Sequence, residues 1–234
     1  YLPDGGFAFI STRCQSYGRC HGGRYTPSYM LYRGELDGTG IRQLSFGEAN
    51  EWDPSVMADG RIIYTRWDYI DRDPTPFQSL WVTKTDGTAT ALYYGNYTGN
   101  PHMTAEPRSI PGSKKVMSLA VAHHSYSSGS VILVDRDKGI EGQKPLTRIT
   151  PEVRFPETEN NREPGSYTNP WPLSEDLFLV SYMPDRLAYQ VWMEKNRPDK
   201  IMFQRDSAYA IYLIDTLGGR ELIYRDTKMS SFAP

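Results

Sequence analysis

The sequence predicts an all-β protein, a β-propeller built from four-stranded antiparallel blades. Three observations support this prediction. A strand–turn–strand unit recurs at intervals of roughly 50 residues. Only turns and loops separate the strands of one unit from those of the next. The apolar segments are short and rich in β-branched and aromatic residues, which suit pleated, half-buried surfaces.

The clearest copy of the repeat lies in residues 52–67. Asp59-Gly60 supplies a tight turn, because Gly accepts a positive φ and Asp tolerates one. Residues 62–65, Ile-Ile-Tyr-Thr, follow as a strand. Asp53-Pro54 is expected to stand ahead of the first strand and to fix how the chain enters it. The segment therefore predicts strand, turn and strand.

Three degenerate copies follow the same plan. Their turns, at 4–5, 107–112 and 169–176, lead into apolar segments at 7–11, 115–119 and 177–181. Each copy continues to a third strand that ends at Asp or Gly residues, and then to a short closing strand. The third strands are expected at 29–32, 80–82, 131–134 and 210–214, and the closing strands at 41–44, 91–94, 146–149 and 221–224.

This pattern predicts one domain, or a partial propeller, over residues 1–234. The expected blades are 4–46, 52–95, 106–151 and 168–226, with 229–234 starting a further strand. The C-terminal strand could complete the first blade and close a four-bladed ring. The favoured alternative is a segment of a larger ring of six to eight blades, because four-bladed rings lie at the small end of the known range.

Composition indicates which classes of binding partner are not expected, but it does not identify a partner. The formal net charge is -2, so neither nucleic acid nor an anionic membrane is expected as a partner. No apolar run approaches the roughly 18 residues of a spanning helix. The chain begins at Tyr1, inside a repeat and without a signal peptide, which favours an excised piece or a mature fragment.

Four long insertions fall between the same two strands of successive units. They are residues 12–27, 67–79, 121–129 and 182–208, the last with a candidate short helix near its start. Equivalent loops of a propeller emerge on one face, so this face is predicted to bind a protein, peptide or glycan partner. Its candidate binding residues are Tyr17, Arg24, Trp67, Asp68, Tyr69, Asp71 and Tyr126.

Two of these loops hold residues that can ligate a metal. The spacing of Cys14, Cys20 and His21 is Cys-x5-Cys-His, so a c-type haem attachment motif is not encoded. The two cysteines suit a disulfide or structural thiols. A transition-metal site, for example for zinc, needs further ligands, which His123, His124 and His102 could supply. Both alternatives remain open from the sequence.

Catalytic motifs are absent from the sequence. There is no Gly-x-Ser-x-Gly elbow and no His-Glu-x-x-His helix motif. The carboxylates Asp68 and Asp71 stand beside aromatic residues, as in sugar-binding sites, but an ordinary solvated loop has the same composition. No catalytic residue is therefore assigned, and whether the chain is part of an enzyme stays open.

Residues 53–64, Asp-Pro-Ser followed by Asp-Gly-Arg-Ile-Ile-Tyr, resemble the WD40-like (PD40) repeat of the TolB family. Residues 9–14, 54–71, 122–124 and 149–153 also resemble the propeller region of bacterial proteins similar to the hydrazine synthase alpha subunit. That resemblance implies a periplasmic or extracellular, multidomain protein with a propeller beside haem-binding parts. It also implies a metal-binding role for some of the cysteines and histidines above. Hydrazine synthesis itself is not implied, since the haem attachment motif is missing.

Three functional hypotheses follow from these features. The leading hypothesis is an extracytoplasmic binding or scaffold domain that contacts other domains or subunits of its parent protein and a ligand on the elaborated face. The alternative is a domain of a metal- or haem-dependent redox enzyme, to which it contributes Cys and His ligands. A gating propeller attached to a serine peptidase is a third hypothesis.

Overall fold

The structure, a computed structural model, describes residues 1–18, 26–47, 49–68, 75–123, 127–159, 165–184, 209–226 and 228–234. Across these ranges the regular secondary structure is all β-strand except for one short 3-10 helix at Arg136–Lys138, which confirms the predicted fold class. The strands are β1 (Gly6–Ser11), β2 (Tyr17–Gly18), β3 (Thr26–Pro27), β4 (Met30–Glu35), β5 (Arg42–Gln43), β6 (Glu51–Val56), β7 (Ile62–Trp67), β8 (Gln78–Thr83), β9 (Ala91–Tyr94), β10 (Met103–Ser109), β11 (Val116–Val121), β12 (Ser130–Val134), β13 (Leu146–Arg148), β14 (Ser166–Pro172), β15 (Leu177–Met183), β16 (Ala210–Asp215) and β17 (Arg220–Tyr224).

The strands form antiparallel units in which chain neighbours are also sheet neighbours. Three units are four-stranded: β6–β9, β10–β13 and β14–β17. The first unit has three strands, in the order β1-β4-β5, and the two-stranded ribbon of β2 and β3 lies in its longest connection. The first strands of the four-stranded units, β6, β10 and β14, are here called the inner strands.

Each inner strand contains an irregularity at a residue that precedes a proline. The pairing register shifts between Trp52 and Ser55, and at the equivalent places of β10 and β14. Asp53 therefore lies within β6, not ahead of it as the sequence suggested. The reason is that a β-bulge accommodates a proline inside a strand, because the bulged residues leave the hydrogen-bonded ladder.

The turn before β7 follows the expected Asp-Gly chemistry. Gly60 has a φ of 86°, and its N–H donates to the carbonyl of Met57 at 2.9 Å. The Asp59 side chain accepts a hydrogen bond from the N–H of Arg61 at 3.1 Å, and this side-chain bond also stabilises the turn. The same two-residue signal at Asp86-Gly87 connects β8 to β9, where Gly87 also has a φ of 86°.

Buried side chains between neighbouring units form the core. One cluster joins the first and second units, another the second and third, and the largest the third and fourth. Representative members are Leu31 with Ile62, Val82 with Ile132, and Val121 with Phe178. Each unit thus packs its faces against its neighbours, which is how propeller blades bury their apolar side chains.

Successive units are also joined at one end by main-chain contacts. Each contact links the start of a third strand to the start of the next inner strand. They are Glu51 N–H to Tyr29 carbonyl at 2.9 Å, the parallel pair Gln78–Met103, the bridge Gly129–Tyr167, and Ser231 N–H to Tyr209 carbonyl at 2.8 Å. Because the same contact recurs between each unit and the next, successive units are aligned at this end in the same way. Among the described residues, none belongs to a helix long and apolar enough to cross a membrane.

Candidate functional site

The repeated contacts place the long insertions at one end of the molecule. In every unit the second strand ends, and the third strand begins, where those contacts lie. The four insertions therefore leave the sheet at the same end, here called the loop-bearing end. The short turns, such as residues 57–61 and 216–219, lie at the opposite end.

Trp67 is the centre of an aromatic cluster at the loop-bearing end. As the last residue of β7 it is only 7% exposed. Its ring stacks on Trp52, with centroids 6.2 Å apart, and meets the ring of His123 edge-on at 5.2 Å. The structure thus brings together Trp67 and His123, which the sequence placed in two different insertions. These ring contacts join the first described residues of one insertion to those of the next.

His123 is held by two further groups. Its Nδ1 lies 2.5 Å from Gln78 Nε2, and its backbone N–H donates to Glu157 at 2.8 Å. The Gln78 amide also donates to the carbonyl of Thr75 at 3.4 Å, which fits an amide whose nitrogen faces both groups. In this arrangement Nδ1 accepts a hydrogen bond, so the neutral ring carries its proton on Nε2.

Two other predicted binding residues lie within the described ranges. Tyr17 is 57% exposed on β2, opposite Pro27. Asp68 accepts a 2.9 Å hydrogen bond from Arg66 Nε, and the Arg66 guanidinium stacks over Trp81 at 4.6 Å. These contacts give Asp68 a structural partner at the edge of the loop-bearing end.

Cys14 is half-buried and forms no disulfide with any residue that the structure describes. Its Sγ donates to the carbonyl of Ser28 at 3.3 Å and accepts from Ser16 Oγ at 3.1 Å. Seven predicted residues lie outside the described ranges: Cys20, His21, Arg24, Tyr69, Asp71, His124 and Tyr126. No group of three His, Cys, Asp or Glu residues able to hold a metal occurs in the part of the chain that the structure describes. The metal site, like a disulfide between Cys14 and Cys20, stays a prediction.

A second polar feature, which the sequence did not predict, runs across the inner strands. Asp53, Glu106 and Asn169 occupy equivalent bulge positions, each directly before a proline, with φ values of 53°, 50° and 48°. Left-handed backbone at a non-glycine residue costs energy and persists only where surrounding contacts fix it. The sequence does contain a signal for these positions, because an acidic or amide residue directly precedes a proline at the same place in each of these units.

These residues are linked from one unit to the next in a ladder of hydrogen bonds. The backbone N–H of Glu106 donates to Asp53 Oδ2 at 3.3 Å. The backbone N–H of Asn169 donates to Glu106 Oε2. The backbone N–H of Ala233 donates to Asn169 Oδ1 at 3.4 Å. Each side chain thus satisfies the N–H at the equivalent position of the following unit, and this set is here called the inner-strand ladder.

Burial controls the charge of the ladder. Glu106 is only 7% exposed, and its burial, with the nearby Asp53 carboxylate, raises its pKa to about 7. Burial also raises the pKa of Asp53. Hydrogen bonds from Thr168 Oγ1, at 2.9 Å, and from the Asn169 N–H act in the opposite direction on Glu106. The ladder therefore has a buried acceptor, Glu106, at its centre, between the half-buried Asp53 and Asn169.

The successive antiparallel units and the inner-strand ladder that links them define a β-propeller-type protein. No protein-family model matches the sequence. No curated protein matches it either. Among solved structures, the chain is similar to hydrazine synthase from Kuenenia stuttgartiensis, with a TM-score of 0.60 and 16% identity, over 94% of this chain and 28% of that one. At this identity the likeness shows the fold alone.

Two peptidases with propeller-type folds give lower scores. A puromycin-hydrolysing peptidase of Mycobacterium tuberculosis has a TM-score of 0.46 and 10% identity, over 94% of this chain and 30% of that one. The tricorn protease has a TM-score of 0.39 and 12% identity, over 98% of this chain and 22% of that one. In all three cases the chain spans less than a third of the length of the protein it matches.

Proposed function

We propose that this chain is a binding or scaffold domain of a larger bacterial protein that acts in the periplasm or outside the cell. A protein, peptide or glycan partner docks on the loop-bearing end. The observation that carries the proposal is the departure of all four long insertions from this one end, over short turns at the other. Loops on a rigid scaffold are where repeat proteins usually carry their binding residues.

The cluster of Trp52, Trp67 and His123 supports this proposal. The packed rings of these residues fix the distance between the starts of two neighbouring insertions. Because this part of the site is ordered before a partner binds, binding loses little conformational entropy there. Two exposed aromatic side chains, Tyr17 at 57% and Tyr97 at 72%, supply further contact area. Such side chains are enriched at protein interfaces and also stack on sugar rings.

The test uses the chain with a peptide library and a glycan array as probes. For the strongest ligand found, we expect Tyr17→Ser and Tyr97→Ser each to weaken binding about tenfold, the effect of one lost aromatic anchor. Leu217→Ser is the matched control, because Leu217 is 94% exposed in a turn at the opposite end. Unchanged binding in both tyrosine variants, or equal loss in the control, would contradict a site at the loop-bearing end.

A metal- or haem-dependent enzyme is the alternative, and the observation in its favour is Cys14, which forms no disulfide within the described residues. Elemental analysis of the purified chain, with its thiols counted in the same sample, separates the two. Stoichiometric zinc or iron that disappears in the double variant Cys20→Ala, His21→Ala supports a shared metal centre. A chain without metal and without a free thiol supports the binding domain, with a structural disulfide in the first insertion.

A further inference from the structure

A cleft opens between the second and third units at the end opposite the loop-bearing end. One wall is the turn at residues 57–61, between β6 and β7, and the other is the turn at residues 113–115, just before β11. Tyr93 of β9 and Arg136 of the 3-10 helix also line the cleft. Its volume is about 380 Å³, which is within the range of sites that hold small molecules. The lining comes from these two units, so no other unit is needed to form the cleft.

Arg136 is positioned in the cleft by an aromatic ring. Its guanidinium lies over the ring of Tyr93, 5.0 Å from the centroid. Tyr93 is only 2% exposed, and its hydroxyl donates to the carbonyl of Lys114 at 3.4 Å, so the ring is fixed. Within the part of the chain that the structure describes, no carboxylate forms an ion pair with Arg136. The guanidinium is therefore held in place while its N–H donors stay available to a ligand.

The carboxylates beside Arg136 in the sequence have other partners. Asp135 accepts from the backbone N–H of Asp137 at 3.1 Å and lies 3.5 Å from Lys138 Nζ. The carboxylate of Asp137 lies 3.7 Å from Lys114 Nζ. The positive charge of Arg136 is therefore not neutralised by the acidic residues of its own turn.

The other cationic side chains that line the cleft are paired. Arg61 Nη2 lies 2.7 Å from the carboxylate of Asp59, and Lys115 pairs with Glu175. Each lysine and arginine of the lining except Arg136 thus has a carboxylate partner. The excess positive charge of the cleft is that of Arg136, in a chain whose formal net charge is -2. An anion that enters the cleft is attracted to this group.

Further donors reach the cleft from other directions. Ser109 Oγ accepts from the N–H of Ala58 at 3.2 Å, and among the described residues no group accepts the proton of that hydroxyl. Burial raises the pKa of Tyr93 to about 12, whereas the positive charges of Arg136 and Arg61 act in the opposite direction. Both guanidinium groups therefore lie near the Tyr93 hydroxyl, although they belong to different units.

A tetrahedral oxyanion suits this arrangement of donors. A guanidinium offers two parallel N–H donors, which match two oxygens of a phosphate, a sulfate or a carboxylate. A carboxylate has only those two oxygens, whereas a phosphate or sulfate ester has a third that points in another direction. Ser109 or Arg61 can donate to this third oxygen while Arg136 binds the other two. The volume of the cleft exceeds that of the anion, so room remains for the group that carries it.

We propose that the cleft between the second and third units binds a phosphate or sulfate group, either as the free anion or as an ester of a small molecule. Arg136 binds two of its oxygens, and Ser109 and Arg61 donate to the third. The site lies opposite the loop-bearing end and does not rest on the function proposed above.

The test uses the purified chain in isothermal titration calorimetry with sodium phosphate, sodium sulfate and glucose 6-phosphate, and with sodium acetate for comparison. We expect saturable 1:1 binding of a phosphate or sulfate ligand, and weaker binding of acetate. Arg136→Gln should weaken binding about tenfold or more, because hydrogen bonds between charged partners are lost. Arg136→Lys should restore only part of the affinity, since an ammonium group lacks the paired donors. Lys138→Gln is the matched control, because it removes the same charge two residues away, outside the lining of the cleft.

The ligands also separate the two sources of the anion. Tighter binding of glucose 6-phosphate than of phosphate indicates an ester as the ligand, and equal or weaker binding indicates the free anion. The proposal is overturned if no phosphate or sulfate ligand binds saturably to a chain whose circular dichroism is that of a folded β protein. It is also overturned if acetate binds as tightly as phosphate, or if Arg136→Gln and Lys138→Gln have equal effects.

Discussion

The backbone N–H of Asn169 donates to the carboxylate of Glu106 on the neighbouring inner strand, across 63 residues of sequence. Thr168 Oγ1 donates to the second oxygen of the same carboxylate at 2.9 Å. Glu106 thus joins the third and fourth units through both oxygens, while its own N–H is accepted by Asp53. Since the side chains of Glu106 and Thr168 are buried, the stability of the molecule should respond to Glu106 more than to any surface carboxylate.

Glu106→Ala is expected to lower the free energy of unfolding by about 2–4 kcal/mol, because it removes a buried acceptor from two donors and leaves a void. Glu106→Gln keeps the shape and an acceptor oxygen, so its cost should be about 1 kcal/mol or less at pH 6. Urea unfolding measures both, with Glu221→Ala on exposed β17 as control. If Glu106→Ala and Glu106→Gln lower the free energy of unfolding by the same amount, the hydrogen bonds of Glu106 do not account for the effect.

Stability should fall as the pH rises from about 4.5 to 7. The pKa of Glu106 is about 7 in the folded protein, above its ordinary value of 4.5, so the folded state holds a proton that the unfolded state has released. The stabilisation is complete below pH 4.5 and lost through pH 7, by about 3 kcal/mol at most. Unfolding at several pH values should show this slope. Glu106→Gln should flatten it, and an unchanged slope would assign it to other groups.

Glu159 should give the opposite dependence at lower pH. Arg148 donates to its carboxylate at 2.8 Å and lowers its pKa to about 2. The pair therefore stabilises the fold above pH 4.5, and the contribution is lost as the pH falls towards 2. Since both side chains are partly solvated, the loss should be about 2 kcal/mol. Glu159→Gln should remove it, while Glu221→Gln, at an exposed position of β17, should leave acid unfolding unchanged.

Gly129→Ala should destabilise the protein by about 3 kcal/mol or more, because a Cβ at this position would lie 2.0 Å from the carbonyl oxygen of Ala120. The steric conflict falls at the bridge between Gly129 and Tyr167 that joins the third and fourth units. Gly99→Ala is the matched control, since a Cβ there meets nothing within 4 Å. It should be neutral or stabilise by about 0.5 kcal/mol. Thermal unfolding compares the two, and equal melting temperatures would contradict the close approach.

Trp67→Ala should cost about 3–5 kcal/mol, because it empties the space between Trp52 and His123. Trp67→Phe should cost less, since a smaller ring still fills part of that space. Near-ultraviolet circular dichroism should lose the band of the stacked tryptophan pair in both variants. Retention of that band in Trp67→Phe would show that another pair of side chains produces it.

Local sequence was sufficient for the strands and their turns. Strand β9 begins and ends where the apolar run 91–94 predicted, and Asp59-Gly60 forms the expected turn. Both depend on interactions within a few residues: alternation of side chains, β-branching and the freedom of Gly at positive φ. The recurrence of these signals was enough to predict an all-β fold of propeller type.

The tertiary structure alone decided which polar groups meet. Asp53 was expected to guide the chain into a strand, and instead it lies inside β6 and accepts from Glu106, 53 residues away. Trp67 and His123 were assigned to separate loops, yet their rings touch. Periodicity carries no information about contacts between units. Such contacts depend on how neighbouring sheets pack and on which buried donors remain to be satisfied once the strands have paired.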